Sequence, residues 1–416
     1  MKKKLDIDKF VIELSRIIVG VTFIFSGFVK AVDPLGFTYK IQDYLVNLNL
    51  VDMYQFALPI SVFMVVVEFA LGALLLLGVY RKPVTIIIAL FMVFFTPFTF
   101  WTALTNPVED CGCFGDALII SNWQTFYKNL ILSAGAIILV TKWRLIKPLF
   151  SKRMAPFATL FVVIFGLLFS LHNVYNLPVL DFRPYKKGAN IPQQMYIDPE
   201  KADVIETVFI YSKNGVKEEF TEENYPWNDS TWTFIDMESR VVKEGEKPTI
   251  EDFALESLYF DEMDGSWKIG GDITDLVLSD TTYTFLMISY SLEDMSERYL
   301  DKFKVVSRFA TNHGFPFYLL TASSADVVGD WEEAHETGVQ FCHADERALK
   351  TMTRANPGLI LIKEGVVINK WSDSRVPEPT SEIFQIKNPQ RDNVIKLLLI
   401  TLLFFVPLLF LKKIDR

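Results

Sequence analysis

Two of the three cysteines in this chain of 416 residues flank a single glycine, in Glu109-Asp110-Cys111-Gly112-Cys113-Phe114-Gly115-Asp116. Thiols at this spacing can exchange electrons with a partner's disulfide, close a static local disulfide, or give two ligands to a metal. A disulfide across one glycine closes a very small ring, and departures from relaxed geometry make such a bond easier to reduce. The pair is therefore a poor staple and a reasonable exchange site. Gly112 and Gly115 supply the backbone freedom of a tight loop. The neighbouring carboxylates Glu109, Asp110 and Asp116 are expected to raise the thiol pKa values, which argues against a strongly activated nucleophile. Two thiolates without a nearby His do not complete a tetrahedral site, so no metal is expected.

The remaining cysteine, Cys342, precedes His343. It reads either as a small buried hydrophobe or as a third thiol that resolves the Cys111-Cys113 pair or links to another chain. The other histidines, His172, His313 and His335, are scattered. No Gly-rich phosphate loop and no Ser/His/Asp order is present, so a hydrolase or kinase has no support.

The elements that must hold the cysteine pair are membrane helices. Half of the residues are hydrophobic, 22% are charged and 36 are Phe, and the apolar residues fall in long blocks. Six stretches, roughly 9–29, 59–79, 84–104, 123–141, 155–175 and 394–411, approach the length of about 20 residues that a spanning helix needs. Lys and Arg in the short connections fall on one side: Lys2 to Lys4, Lys9, Arg81, Lys82, Lys142, Arg144, Lys147, Lys152, Arg153, Lys412, Lys413 and Arg416, against Lys30 and Lys40 on the other. This predicts cytoplasmic termini in a bacterial inner membrane, with 30–58, 105–122 and 176–393 facing an oxidising periplasm. The first stretch reads as a retained anchor, not a cleaved signal. Between Asn176 and Asn393 there are 39 acidic and 22 basic residues, and elsewhere 11 and 19. An acidic outward body on a basic membrane part excludes nucleic acid as a partner and leaves lipid and an extracytoplasmic protein or a larger envelope complex.

Helix 1 carries Arg16, Gly20, Ser26, Gly27 and Lys30, and helix 2 carries Glu68, Gly72 and Gly78. A carboxyl inside an apolar run costs several kcal/mol in lipid unless it is protonated or faces a polar interior, so Glu68 is either a relay or a structural partner of Arg16, Lys30 or a helix backbone. With the cysteine segment, these residues make positions 9–145 resemble the DoxX family, in particular its branch grouped with the methylamine-utilisation protein MauE. The resemblance implies a four-helix membrane bundle associated with thiol, sulfur or quinone redox chemistry. A quinone is the one cofactor it suggests.

Beyond Asn176 the pattern changes to short strands and polar turns. Runs at Val204–Tyr211, Val216–Phe220 and Ser230–Met237, with turns at Lys213-Asn214-Gly215 and Met263-Asp264-Gly265, make 177–280 a β-rich segment. Residues 281–390 alternate strand and helix: strands at Tyr283–Tyr290, Phe315–Thr321, Val339–Cys342, Leu359–Lys363 and Val366–Trp371, helices at Leu292–His313, Ala325–Gly338 and Glu346–Ala355. That order resembles a thioredoxin-like fold, with Asn356-Pro357 at the family's cis-proline loop and, by implication, in partner docking. Where the family's dithiol would follow the first strand, this chain reads Ser289-Tyr290-Ser291-Leu292-Glu293-Asp294-Met295, without cysteine. The expected architecture is thus an α-helical membrane bundle, comprising a four-helix core at 1–145, a fifth spanning helix at 146–176 and a sixth at 391–416, with an outward α/β thioredoxin-like domain. The expected function is that of an inner-membrane thiol-disulfide oxidoreductase acting through Cys111 and Cys113. A non-enzymatic scaffold of an envelope complex is the alternative.

Overall fold

A computed structural model describes residues 2–108, 110–243, 245–251, 253–385 and 388–415; Glu109 lies outside the described residues. The apolar stretches fold as helices α1 (Lys2–Val32), α3 (Ala57–Leu77), α4 (Arg81–Thr105), α5 (Asn122–Thr141) and α6 (Ala155–Tyr175), and the connection after α1 forms a further helix, α2 (Pro34–Asn47). Asp33 starts α2 by accepting a hydrogen bond from Gly36 N at 3.0 Å, and Pro34 occupies the first turn, where its missing N–H costs nothing.

The glycines of α1 and α3 bring these two helices into backbone contact. A Cβ at Gly27 would lie 2.5 Å from Phe69 N, and one at Gly72 2.6 Å from Ile24 N. Small residues at the crossing permit this approach in a bilayer, where packing rather than water drives association. Arg16 fastens the cytoplasm-expected end of the same pair, donating to Leu75 O at 3.0 Å and to Leu76 O in the last turn of α3, where carbonyls run out of intrahelical partners.

Among the described residues, five helical stretches are long and apolar enough to cross a membrane: Ile7–Val32, Val51–Leu77, Arg81–Thr105, Ala155–Tyr175 and Pro389–Ile414. Helix α5 was the remaining expected span. It is helical, but its first turns carry Asn122, Gln124, Lys128 and Asn129, which dilute its hydropathy. Asn122 and Asn129 turn inward, donating to Val108 O at 2.9 Å and to Thr99 Oγ1 at 3.1 Å.

The part between α6 and the last helix begins with the short helix α7 (Ile191–Met195). Strands β1 (Val204–Lys213), β2 (Val216–Thr221) and β3 (Thr233–Lys243) form a separate antiparallel sheet in the order β2-β1-β3. A second sheet of seven strands holds β4 (Glu256–Asp261), β5 (Ser266–Asp272), β6 (Tyr283–Ser289), β7 (Phe317–Thr321), β8 (Gln340–His343), β9 (Gly358–Lys363) and β10 (Val366–Ser372), in the order β10-β9-β6-β7-β8-β4-β5. The hairpin β4–β5 lies within the expected β-rich segment yet joins this second sheet, through pairs such as Ser257 with Cys342. Strands β6, β7 and β8 run parallel, β9 is antiparallel to β6, and β10 is antiparallel to β9. With the intervening helices this is a thioredoxin-like α/β arrangement.

Strand β6 is buried on both faces, as a central strand covered by helices must be. Phe285 and Met287 pack with helix α9 (Leu300–Asn312) and helix α10 (Ala325–His335), after the short α8 (Thr274–Leu278); Leu286 and Ile288 face the cluster that includes Leu349 and Met352 of helix α11 (Glu346–Met352). The helix expected from Leu292 starts only at Leu300. Side chains take up the backbone of 290–296 instead: Leu292 N donates to Ser323 Oγ at 3.0 Å, and Asn356 Nδ2 donates to Ser291 O at 2.8 Å. The last helix, α12 (Pro389–Ile414), returns to the bundle, where Phe404 sits 5.0 Å from the Phe165 ring and 5.4 Å from that of Phe69.

Candidate functional site

Cys111 and Cys113 lie in the loop between α4 and α5, at the mouth of the bundle that faces the α/β domain. Their sulfurs are 3.0 Å apart and unbonded. The loop is held from three sides. Ser26 Oγ of α1 donates to Cys113 O at 2.7 Å; Asp110 accepts from Gly112 N at 2.7 Å and pairs with Lys40 of α2 at 2.8 Å; Phe114 is buried against Phe25, with ring centroids 5.2 Å apart. Gly112 has φ +66°, a left-handed conformation that side chains rarely adopt, and it lies under the Lys40 stem.

Charge arrives from below and beside the pair. Lys30, buried near the end of α1, forms an ion pair with Glu68 of α3 at 2.8 Å, and its ammonium sits 4.9 Å from the centre of the Phe37 ring. Lys128 of α5 lies 4.4 Å over the ring of Phe114. The Cys113 thiol is lowered to about 6: the hydrogen bond from Cys111 favours its thiolate, burial opposes this, and Lys128 and Lys30 add favourable charge. Cys111 moves the other way, raised by that same hydrogen bond, by burial and by the thiolate beside it. Cys113 is also the more exposed of the two.

For Cys113 this reverses the expectation that nearby carboxylates suppress the thiolate; Cys111 is raised as expected, but by its hydrogen bond to Cys113 and by burial. Asp110 is neutralised by Lys40, and Asp116 turns toward Arg354 at 3.6 Å. The cations that matter come from other helices. Glu68 and Lys30 are brought together as one alternative anticipated; Arg16 stands apart, bound to Glu13 and the end of α3. Lys128 went unnoticed, although a lone lysine in an apolar helix is as costly as the lone Glu68. Tyr44 of α2 was also missed. Its hydroxyl is buried beside Cys111, and burial raises its pKa.

The α/β domain faces this mouth with the loops where a thioredoxin-like fold carries its chemistry. The Asn356-Pro357 bond is cis, and Asn356 accepts from Ser289 Oγ at 2.8 Å. Just before it, Arg354 reaches the membrane part: its guanidinium binds the Asp33 carboxylate at 2.8 to 3.1 Å, with both side chains largely buried. Burial alone would raise the Asp33 carboxyl, but Arg354 holds it below the usual range. Tyr39 of α2 lies under both Arg354 and Lys350, at 5.4 and 4.9 Å, and Lys350 also covers Tyr290 at 5.3 Å.

Around this contact is a cavity of about 490 Å³ between bundle and domain, bordered by Lys30, Asp33, Gly112, Asp116, Arg183 and Arg354. In its wall, Asp181 binds Arg183, and it also binds Lys370, at 2.8 and 2.9 Å. Burial, reinforced by Arg183, pushes the Lys370 ammonium down to about 7. Cys342 is elsewhere, fully enclosed in the sheet, and burial pushes its thiol up to about 12.

Residues 8–142, the span of α1 to α5, match the family of the methylamine utilisation protein MauE. Residues 205–244, the three-stranded sheet, match a domain of unknown function, DUF8463. No curated protein matches the chain. Among solved structures, the mitochondrial 2-Cys peroxiredoxin from Plasmodium falciparum is 15% identical, with 36% of this chain and 91% of that one covered and a TM-score of 0.21. A peroxiredoxin-like protein from Aquifex aeolicus is 16% identical, with 37% and 90% covered and a TM-score of 0.21.

Proposed function

We propose that this membrane protein is a thiol-disulfide oxidoreductase whose working groups are Cys111 and Cys113, with the cysteine-free thioredoxin-like domain as the element that positions a protein partner through Arg354 and the Asn356-Pro357 loop. The observation that carries this reading is the pair of unbonded sulfurs 3.0 Å apart, one of them flanked by Lys30 and Lys128. The Cys113 thiolate attacks one sulfur of a partner disulfide, forming a mixed disulfide and releasing the other partner sulfur as a thiolate. Cys111, losing its proton to that thiolate or to water, then attacks Cys113, releases the second partner thiolate and leaves Cys111-Cys113 as a disulfide. Two electrons pass to the partner; the reverse sequence oxidises a partner dithiol. Cys342, sealed in a hydrophobic core, fits packing better than resolution of this pair.

The direct test is to trap the redox state of Cys111-Cys113 in cells by alkylation with and without reductant. A population divided between dithiol and disulfide supports exchange, whereas complete, inert oxidation supports the scaffold. The proposed orientation, with the pair and 176–393 outside and both termini cytoplasmic, predicts that an impermeant maleimide labels Cys113 in intact spheroplasts. Labelling only after the membrane is opened would reverse the topology.

The Lys30–Glu68 pair makes a further prediction. Glu68→Leu strands a buried ammonium, a cost of about 3–5 kcal/mol, so the amount of folded protein should fall. Lys30→Met with Glu68→Leu should restore that amount while leaving Cys113 less reactive at neutral pH, because Lys30 favours its thiolate more than Glu68 opposes it. Full reactivity in the double variant, measured by stopped-flow alkylation, would reduce the pair to a structural contact.

A further inference from the structure

Helix α2 addresses the cysteine loop with one face. Lys40, Tyr44 and Asn47 stand at positions i, i+4 and i+7, which fall together on a helix surface. The outer two have fixed contacts: Lys40 Nζ binds Asp110 at 2.8 Å, and Asn47 Nδ2 donates to Pro107 O at 3.0 Å. Between them Tyr44 reaches the same loop at Cys111. Its ring is held edge-on against Phe98, with centroids 5.2 Å apart, which limits where the hydroxyl can turn.

A buried tyrosine hydroxyl finds a hydrogen-bond partner, because leaving the bond unmade is costly. The Tyr44 oxygen is closed to solvent, and the groups around it are Cys111, Cys113 and Asp110. Asp110 is already engaged by Lys40 and by Gly112 N, and Cys113 by Cys111. The Cys111 sulfur remains as the acceptor. Burial raises the Tyr44 pKa, so the proton stays on its oxygen at neutral pH.

In thiol exchange the second step falls on Cys111, which must ionise and attack although its bond to Cys113 and its burial raise its pKa. We infer that Tyr44 is the donor that stabilises the Cys111 thiolate as it attacks the mixed disulfide, an inference that rests on the exchange role proposed for the pair. In that step Cys111 gives its proton to the partner thiolate already released or to water, and its sulfur bonds to Cys113 Sγ. The bond from Cys113 to the partner breaks, with the electron pair on the partner sulfur. The Tyr44 proton is shared, not transferred. A hydrogen bond to an ionised acceptor is stronger than one to a neutral acceptor, so this contact tightens as Cys111 ionises.

The test uses the full-length reduced protein in mild detergent and the small disulfide dithiobis(nitrobenzoate), whose released thiolate is coloured. Stopped-flow absorbance separates the first release, when Cys113 attacks, from the second, when Cys111 closes the disulfide; Cys342 is sealed in the sheet. In Tyr44→Phe the first phase should be unchanged and the second about three- to tenfold slower at neutral pH, the lost bond being partly offset by a more basic and more nucleophilic thiolate. The pH at which the second phase levels off should move up in Tyr44→Phe. It should move down with fluorotyrosine at position 44, a stronger donor of nearly the same shape. Equal second phases in Tyr44→Phe and wild type, or a slower one whose levelling pH stays in place in both variants, would overturn the proposal. A wild type that releases one thiolate and never the second would remove the exchange role itself, and this proposal with it.

Discussion

In Cys111→Ser a mixed disulfide between Cys113 and its natural partner should accumulate, and in Cys113→Ser it should not. Cys113 is the sulfur whose pKa lies at about 6, and it is the more exposed one. At pH 7 about nine-tenths of a thiol with that pKa is thiolate, against about one-hundredth for a thiol near 9. The lower basicity makes each thiolate less nucleophilic, returning roughly twentyfold of that advantage. Ionisation therefore favours Cys113 over Cys111, whose thiol is raised, and the burial of Cys111 adds to it. Ser at position 111 can still donate a hydrogen bond, so the trapped species should form at close to the wild-type rate. Ala at 111 cannot, and the midpoint for Cys113 should rise.

The pH profile carries the sign of the same argument. Alkylation of Cys113 should fall about tenfold between pH 7 and pH 5, as the thiolate takes up its proton, and should gain little above pH 8. A profile that climbs steadily to pH 9 would mean that Lys30, Lys128 and Cys111 leave the thiolate unstabilised. Trapping by Cys113→Ser in place of Cys111→Ser would exchange the two roles.

Removing Arg354 should release the α/β domain from the membrane part. Its guanidinium is buried against Asp33, and deleting one side of such a pair costs about 3–5 kcal/mol, mostly because the other charge is left without a partner. In Arg354→Ala, hydrogen exchange at α2 and α11 should quicken, and Cys113 should become more accessible to bulky maleimides. Exchanging the charges, as Asp33→Arg with Arg354→Asp, should recover part of the contact, whereas Asp33→Arg alone should not. Unchanged exchange in Arg354→Ala would mean that Tyr39, Lys350 and the connection around Arg183 hold the domain without it.

The membrane helices were legible in the sequence because lipid demands continuous apolar helix, and a run such as Leu58–Leu77 permits little else. The strands were legible for a related reason: the positions of β6, β7, β9 and β10 follow from short apolar runs between turn residues, with Glu364-Gly365 marking the last hairpin. Local competition blurred the boundaries. The loop at 290–296 resisted the helical pattern because Ser323 and Asn356, distant in sequence, bind its backbone. Helix α2 was hidden in the connection after α1, where Asp33 as cap and Pro34 in the first turn are its start signals.

The Cys-Gly-Cys segment announced its chemistry through residue type and spacing alone, since a thiol's capacity for exchange belongs to the side chain. What that thiol does at neutral pH belongs to its surroundings. Neighbours in sequence suggested carboxylates and a high pKa; neighbours in space are Lys30 from α1 and Lys128 from α5, with Asp110 turned to Lys40 and Asp116 to Arg354. Electrostatic energy falls with distance through space, not along the chain. For the same reason the contact between Asp33 and Arg354, 321 residues apart, existed only once the bundle and the sheet had folded and met.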